Sequence, residues 1–497
     1  MRRLSKSKLI AFRQCKRRLW LEVNRPDLRE DSDTTKAKFK EGNVVGEIAQ
    51  RLYDPNGVGA TINAQSEGYA EAFSRTRALL ESNAPIFEAG FQIEGALAFA
   101  DVMLPVATEN GLSWRMVEVK SSTGVKPYHH DDIAIQGCIA RMAGVNLEAI
   151  ALAHIDSTWV YPGNQQYHGL LKEVDLTEEA LTRDAEVADW IAQAQIVAAK
   201  PKEPLCSTGK HCFDPFECGF LAHCQSFEKQ ADYPVALLPG VQTKALKLAL
   251  ENDGLTELID VPDELLNEVQ LRVKTCTLQN TMFFDAKAAN AALIQYEFPL
   301  AFMDFETVNL AVPIWPGTRP YQQVPFQYSV HSMDQKGLVG HQEFLDLSGN
   351  DPSRRFAETL IDACKDAKTI FVYSAGFENG RLKELGARFP DLERNLLDIV
   401  DRVVDLLPIV KNHYYHPDQK GSWSIKSVLP TIAPDLDYQD LDGVKDGGMA
   451  MEAFKEAVSS STAADRKAEI ERQLLGYCKL DTLAMIHLWR FLVGEKA

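Results

Sequence analysis

The spacing of apolar and polar positions divides the chain into stretches of different period. Helical spacing recurs near 5–23, 36–52 and 66–82, where apolar side chains return once per helical turn. Two strand-like runs follow, "FQIEGALAFADVMLPV" and "SWRMVEVKSS", with a turn at "ATENG" between them. A helix then carries "DDIAIQGCIARMAGV". Residues 230–295 pattern as short helices joined by turns. A second α/β region begins at "YEFPLAFMDFETVNL", with further strands at "HQEFLDL" and "KTIFVYS". Its helices are predicted at "AGFENGRLKELGARF", near 454–458 and over "AEIERQLLGYCKLDTLAMIHLWRFLV". The fold class is α/β, in three parts: 1–229, a helical linker module at 230–295, and 296–497.

Composition narrows this picture little. The 497 residues are 45% apolar and 25% charged, ordinary proportions for a chain with several hydrophobic cores. No apolar run reaches spanning length, and the basic start "MRRLSKSKLIAFRQCKRRLW" holds only "LIAF", too short for a signal peptide. A cytoplasmic protein without a membrane partner is expected. The net charge of −17 argues against nucleic acid at first sight, yet the first eighteen residues carry eight Lys or Arg and no acid. A local basic patch can bind phosphate on an acidic protein.

Cysteine placement changes the picture more. In "CSTGKHCFDPFECGFLAHC", Cys206, Cys212, Cys218 and Cys224 recur every six residues. Six residues turn a helix by about 600°, so these positions do not share a face. Gly209, Pro215 and Gly219 point to a looped segment. Disulfides, zinc and an iron–sulfur cluster all remain open. A reducing cytoplasm disfavours disulfides, and zinc on these four thiolates is one metal reading.

Two groups of carboxylates carry candidate chemistry. In a strand, residues two apart face the same way, so Glu118 and Lys120 project together, with Asp101 on the hairpin partner. Two carboxylates suit Mg²⁺ or Mn²⁺, and the lysine can orient or deprotonate water or stabilise a phosphate. An amphipathic strand with a surface Glu/Lys pair accounts for the same spacing. The second group starts with Asp304 and Glu306, again two apart on an apolar strand. Tyr477 and Asp481 lie one helical turn apart, and Glu378 heads a helix between them. Four converging acids need cations to offset their repulsion. Two divalent ions would activate water and stabilise the leaving oxygen, with Tyr477 orienting the water.

The "VEVKSS" strand, the upstream "AD" and the following helix with Gln136 resemble the RecB-like PD-(D/E)XK nucleases, with Glu47 and Glu88 as upstream metal-site acids. Two departures stand out: Gly46 sits where many relatives place a histidine, and Ala140 replaces the tyrosine of the Gln-x-x-x-Tyr element. The resemblance implies a 4Fe–4S cluster on Cys15, Cys212, Cys218 and Cys224, with Cys206 left over. The C-terminal acids resemble the RNase H-like DEDD 3′–5′ exonucleases of the Tyr-x-x-x-Asp subtype, with Glu378 in place of the usual Asp. Asp398, Asp401 and Asp405 are reserve acids, and Lys426 in "GSWSIKSVLP" stands where such enzymes have a Ser-Leu-Lys stretch. The stretch "LLPGVQTKALKLALENDGLTELIDVPDE" is similar to helical modules that grip a DNA backbone, though a plain spacer fits it too. As a whole the chain resembles a little-characterised bacterial family joining both nuclease types. That implies hydrolysis of DNA, single-stranded or with free ends, in repair or defence. The alternatives are an RNA-directed exonuclease and a nucleic-acid-binding module with degenerate centres.

Overall fold

A nearly continuous apolar run over 96–107 and the strand at 111–120 build the middle of a mixed sheet. The computed structural model describes residues 2–109, 111–241, 243–252 and 254–495, without the side chains of 251 and 252. Asn110 of the expected turn, and Gln242 and Asp253 of the expected linker helices, lie outside the described residues. The chain forms two compact units. One comprises Met1–Lys229 with Leu310–Tyr321, the other Gln230–Asn309 with Gln322–Ala497. The expected linker module therefore belongs to the second unit.

In the first unit, β1 (Leu4–Ser5), β2 (Ala60–Thr61), β3 (Ile86–Ile93), β4 (Ala96–Thr108), β5 (Gly111–Lys120), β6 (Leu147–Ile155) and β7 (Leu171–Asp175) form one sheet. The order is β2-β3-β4-β5-β6-β7, with β1 beside β4. The β4–β5 pair is antiparallel with Val102 opposite Val117, whereas β5 and β6 run parallel with Glu118 opposite Leu152. A parallel pair needs a crossover, and the buried helix Pro127–Met142 provides it. Two sequence expectations change here. "FQIEGALAFADVMLPV" is two strands, β3 and β4, because the chain reverses at Gly95 with φ +85, a conformation glycine adopts without strain. The predicted helix at 5–23 breaks into α1 (Lys6–Gln14) and α2 (Lys16–Asn24), with Cys15 extended between them (φ −161, ψ 126). The Gln14 side chain holds this break by donating to the carbonyls of His211 (2.6 Å) and Phe216 (2.7 Å). Next comes α3 (Asp33–Tyr53). Ala311 and Val312 of the returning segment pack with Val45, Ile48, Ile155 and Leu170.

The second unit has a two-stranded ribbon, β8 (Phe283–Phe284) with β14 (Tyr414–Tyr415), and a five-stranded mixed sheet. The larger sheet contains β9 (Leu300–Asn309), β10 (Gln323–Met333), β11 (Val339–Leu345), β12 (Thr369–Val372) and β13 (Val403–Asp405), in the order β11-β10-β9-β12-β13. Strand β10 is absent from the sequence expectations. Nearly all of it is buried, so no alternation marks it. In β9, Ala301, Met303 and Phe305 enter one core, and Leu300 and Phe302 enter the other. Asp304 and Glu306 continue the Leu300–Phe302 face. The helix Ala464–Val493 supplies Met485, Ile486, Leu488 and Trp489 to that same core. Its previous turns bring Asp481 and Tyr477 to the acidic end of β9. Opposite Glu306, the β9–β10 register shifts at Phe326, a bulge of the kind found beside active sites. No described helix is long and apolar enough to cross a membrane.

Candidate functional site

In the second unit, ligand oxygens of Asp304, Glu306 and Asp481 lie within 4.8 Å of one another. Glu306 and Asp481 are buried, Asp304 partly so. Burial, reinforced by the Asp481 charge, raises Glu306 to about 8 and Asp304 well above the usual carboxylate range. Burial raises Asp481 to about 6, against a hydrogen bond from the Tyr438 hydroxyl to Oδ1 at 2.6 Å. Lys426 donates to the Lys445 carbonyl at 2.9 Å and sits over the rings of Tyr477 (4.8 Å) and Tyr438 (5.3 Å). Three mutually repelling carboxyl groups beside the Lys426 ammonium make an oxygen-lined site, and that donor set fits a hard divalent cation.

Glu378 lies in the first turn of the helix Gly376–Arg388, buried, with no hydrogen-bond partner for Oε2. It stands outside the 4.8 Å grouping, yet its charge acts on Asp304. Burial, with Asp405 adding repulsion, raises Glu378 to about 8. The three reserve acids are placed elsewhere. Asp405 accepts the amides of Ser374, Ala375 and Leu407, each at 2.9 Å, and so clamps the turn that aims Glu378. Ser374 itself has φ +83. Asp398 pairs with Arg402 at 2.8 Å, and Asp401 is exposed.

The first unit brings Asp101, Glu118 and Lys120 together and adds two residues the sequence reading missed. Asp101 Oδ2 accepts the Val119 amide at 2.7 Å. Lys120 Nζ lies 2.5 Å from both Glu118 Oε1 and Asp132 Oδ2. Lys6 Nζ, arriving from the start of α1, lies 2.8 Å from the same Glu118 oxygen and 3.2 Å from Asp132 Oδ1. The other Glu118 oxygen is buried without a partner. Burial lowers the affinity of Lys120 for its proton, but Asp132 and Glu118 override it and the ammonium persists well above its ordinary range. Burial, then the Glu118 charge, raises Asp101 well above its own. Gln136 donates to the Phe99 carbonyl at 2.7 Å, a contact with the β4 backbone rather than with the carboxylates. Glu88 (φ +56) is at the surface; desolvation by neighbouring protein and the Glu118 charge raise it. Glu47 is exposed on α3. The Tyr321 hydroxyl lies 2.8 Å from Oε1 of another acid of α3, Glu41, and also within hydrogen-bond reach of the Ser121 carbonyl just beyond Lys120, its one proton serving one of the two at a time.

The cysteines also converge. Cys15, Cys206, Cys212, Cys218 and Cys224 line one cavity with His211. The tightest grouping is Cys15, Cys206 and His211, within 4.8 Å. His211 Nε2 is 3.6 Å from Cys206 Sγ and 3.7 Å from Cys212 Sγ. Cys206, expected to be left over, thus stands among the nearest donors. Burial pushes the Cys206 and Cys224 thiols up to about 11 and raises Cys218. A soft metal that binds thiolates fits this donor set.

Residues 301–424 match a family described as a domain of unknown function (DUF2779). The match covers Asp304, Glu306 and Glu378 and stops short of Lys426, Tyr438, Tyr477 and Asp481. No curated protein matches the chain. Of the residues missed from sequence, Asp132 carried a signal, one helical turn before Gln136, and His211 adjoins Cys212. Tyr438 and Lys6 carried none, since only the fold brings them to their carboxylates.

Proposed function

We propose that the chain is a metal-dependent nuclease. A 3′–5′ exonuclease centre would lie at Asp304, Glu306, Glu378 and Asp481, and a second phosphodiesterase centre at Asp101, Glu118 and Lys120. The observation that carries this reading is the convergence of Asp304, Glu306 and Asp481 oxygens within 4.8 Å, from segments far apart in the chain. Divalent cations held there would neutralise the carboxylates and supply an activated water. Burial and the Asp481 charge raise the Tyr477 phenol above its ordinary range, so Tyr477 acts as a neutral donor that orients water rather than as a base. Lys426 supplies positive charge for a substrate phosphate. In the first unit, the persistent Lys120 ammonium acts by electrostatic stabilisation.

For the cysteines, the proposal is a 4Fe–4S cluster on Cys15 and the 206–224 segment, tying α1 and α2 to the end of the first unit. Zinc is the second reading, favoured by the His211 nitrogen beside two sulfurs. Iron, sulfide and zinc content of protein purified without oxygen separates them.

The substrate class is DNA with single strands or free ends. The test is degradation of 5′-labelled and 3′-labelled DNA and RNA single strands with Mg²⁺ or Mn²⁺. Wild type, Lys120→Ala, Asp304→Ala and the double variant are compared. Stepwise loss from the 3′ end of DNA, abolished by Asp304→Ala, is expected. Faster loss of RNA would move the substrate class, and no metal-dependent cleavage in any sample would leave a binding module.

A further inference from the structure

The first unit's carboxylates hold two ammonium groups, Lys6 and Lys120, from different elements. The carboxylates of Glu118 and Asp132 are each paired with both Lys6 and Lys120, and Asp101 stands beside them. Lys120 shares a strand with Glu118 and is fixed to it by the two-residue repeat. Lys6 comes from a separate element, yet it shares the Glu118 oxygen with Lys120 and bridges to Asp132. Without Lys6, Glu118 and Asp132 would face Lys120 alone, and the cluster would be left with a net negative charge for a cation to offset.

The helix that delivers Lys6 is held from the cysteine cavity. Lys6 is the first residue of α1, and Cys15 follows its last, about 14 Å along the axis. Just beyond the Cys15 break, Arg17 pairs with Glu203 and donates to the Cys206 carbonyl at 3.1 Å. With the Gln14 bonds to the His211 and Phe216 carbonyls, these contacts join α1 to the 203–216 segment. Between the two ends α1 is one unbroken helix with Leu9, Ile10, Ala11 and Phe12 buried, the physical connection between Cys15 and Lys6.

We propose that Lys6 is a positioning residue that competes with the divalent cation for Glu118, and that the cysteine centre sets its position through α1. Loss of the group bound at the cysteines loosens α1, withdraws Lys6 and opens Asp101 and Glu118 to the cation. The proposal rests on the reading of Asp101 and Glu118 as a metal centre.

The test is Mn²⁺ titration followed by electron paramagnetic resonance of the free ion. It uses the full chain in an Asp304→Asn/Asp481→Asn background that weakens the other centre. Lys6→Met and Lys6→Gln should each tighten Mn²⁺ binding about tenfold or more by removing a neighbouring positive charge, whereas Lys6→Arg should leave it unchanged. Cys15→Ala should tighten it too, and Lys6→Met should add little in the Cys15→Ala chain. Unchanged affinity in Lys6→Met and Lys6→Gln, with binding still lost in Glu118→Gln, overturns the role of Lys6 alone. Binding that does not depend on Glu118 overturns the metal centre itself. Fully additive effects of Lys6→Met and Cys15→Ala overturn the link through α1.

Discussion

Replacing Glu306 with Gln should make the metal-free protein more stable at alkaline pH. Glu306 is 7% exposed and faces Asp304 and Asp481, and its folded-state value stands at about 8 against an ordinary 4.5. Below pH 4 the side chain is protonated in both folded and unfolded chains and contributes no pH dependence. As pH rises past the unfolded value the unfolded chain sheds the proton while the folded one keeps it. Stability therefore falls from about pH 4.5 and levels off only above about 8. A rise of that size corresponds to at most about 5 kcal/mol. Solvent entry and proton sharing within the cluster leave about 2–3 kcal/mol as the expected loss. Glu306→Gln keeps the shape and removes the charge. In calorimetry with chelator, its melting temperature should match wild type near pH 4.5 and exceed it by roughly 4–12 °C at pH 8.5. Mn²⁺ should stabilise wild type most at the higher pH. Equal shifts at both pH values, or a lower melting temperature at pH 8.5, would refute the assignment of burial and repulsion as the cause.

Other consequences are testable beside it. Tyr438→Phe removes the 2.6 Å donor to Asp481; the single-turnover rate of the proposed exonuclease centre should fall about tenfold or more. Asp405→Ala deprives three backbone amides of their acceptor and should cost about 2–4 kcal/mol in urea melts while lowering activity through Glu378. Phe302→Ala empties a fully buried site stacked on Phe371, with ring centres 5.5 Å apart, and should cost about 3–5 kcal/mol. Cys206→Ser should lower bound metal per chain, measured by elemental analysis, because Cys206 lies in the tightest donor grouping.

The sequence showed those parts of the site that a local period could carry. The two-residue repeats of Asp304 and Glu306, and of Glu118 and Lys120, were readable because strand geometry alone puts each pair on one face. The one-turn spacing of Tyr477 and Asp481 was readable for the same reason on a helix. Strand β10 was not, because a strand buried on both faces loses its alternation. The hairpin at Gly95 was masked by apolar residues on both sides of the turn. Tyr438 and Lys6 reach their carboxylates only through tertiary packing, and Cys15 breaks a helix that its neighbours' periodicity would continue.

The return of residues 310–321 to the first unit has a consequence for synthesis on the ribosome. Ala311 and Val312 close over Val45, Ile48, Ile155 and Leu170, so the first unit cannot finish folding when residue 229 emerges. It must wait for the linker helices and strand β9 to be made, roughly 5–20 s at ordinary bacterial and eukaryotic elongation rates. During that interval an apolar patch around α3 and β6 stays uncovered, and a nascent-chain chaperone would find its target there.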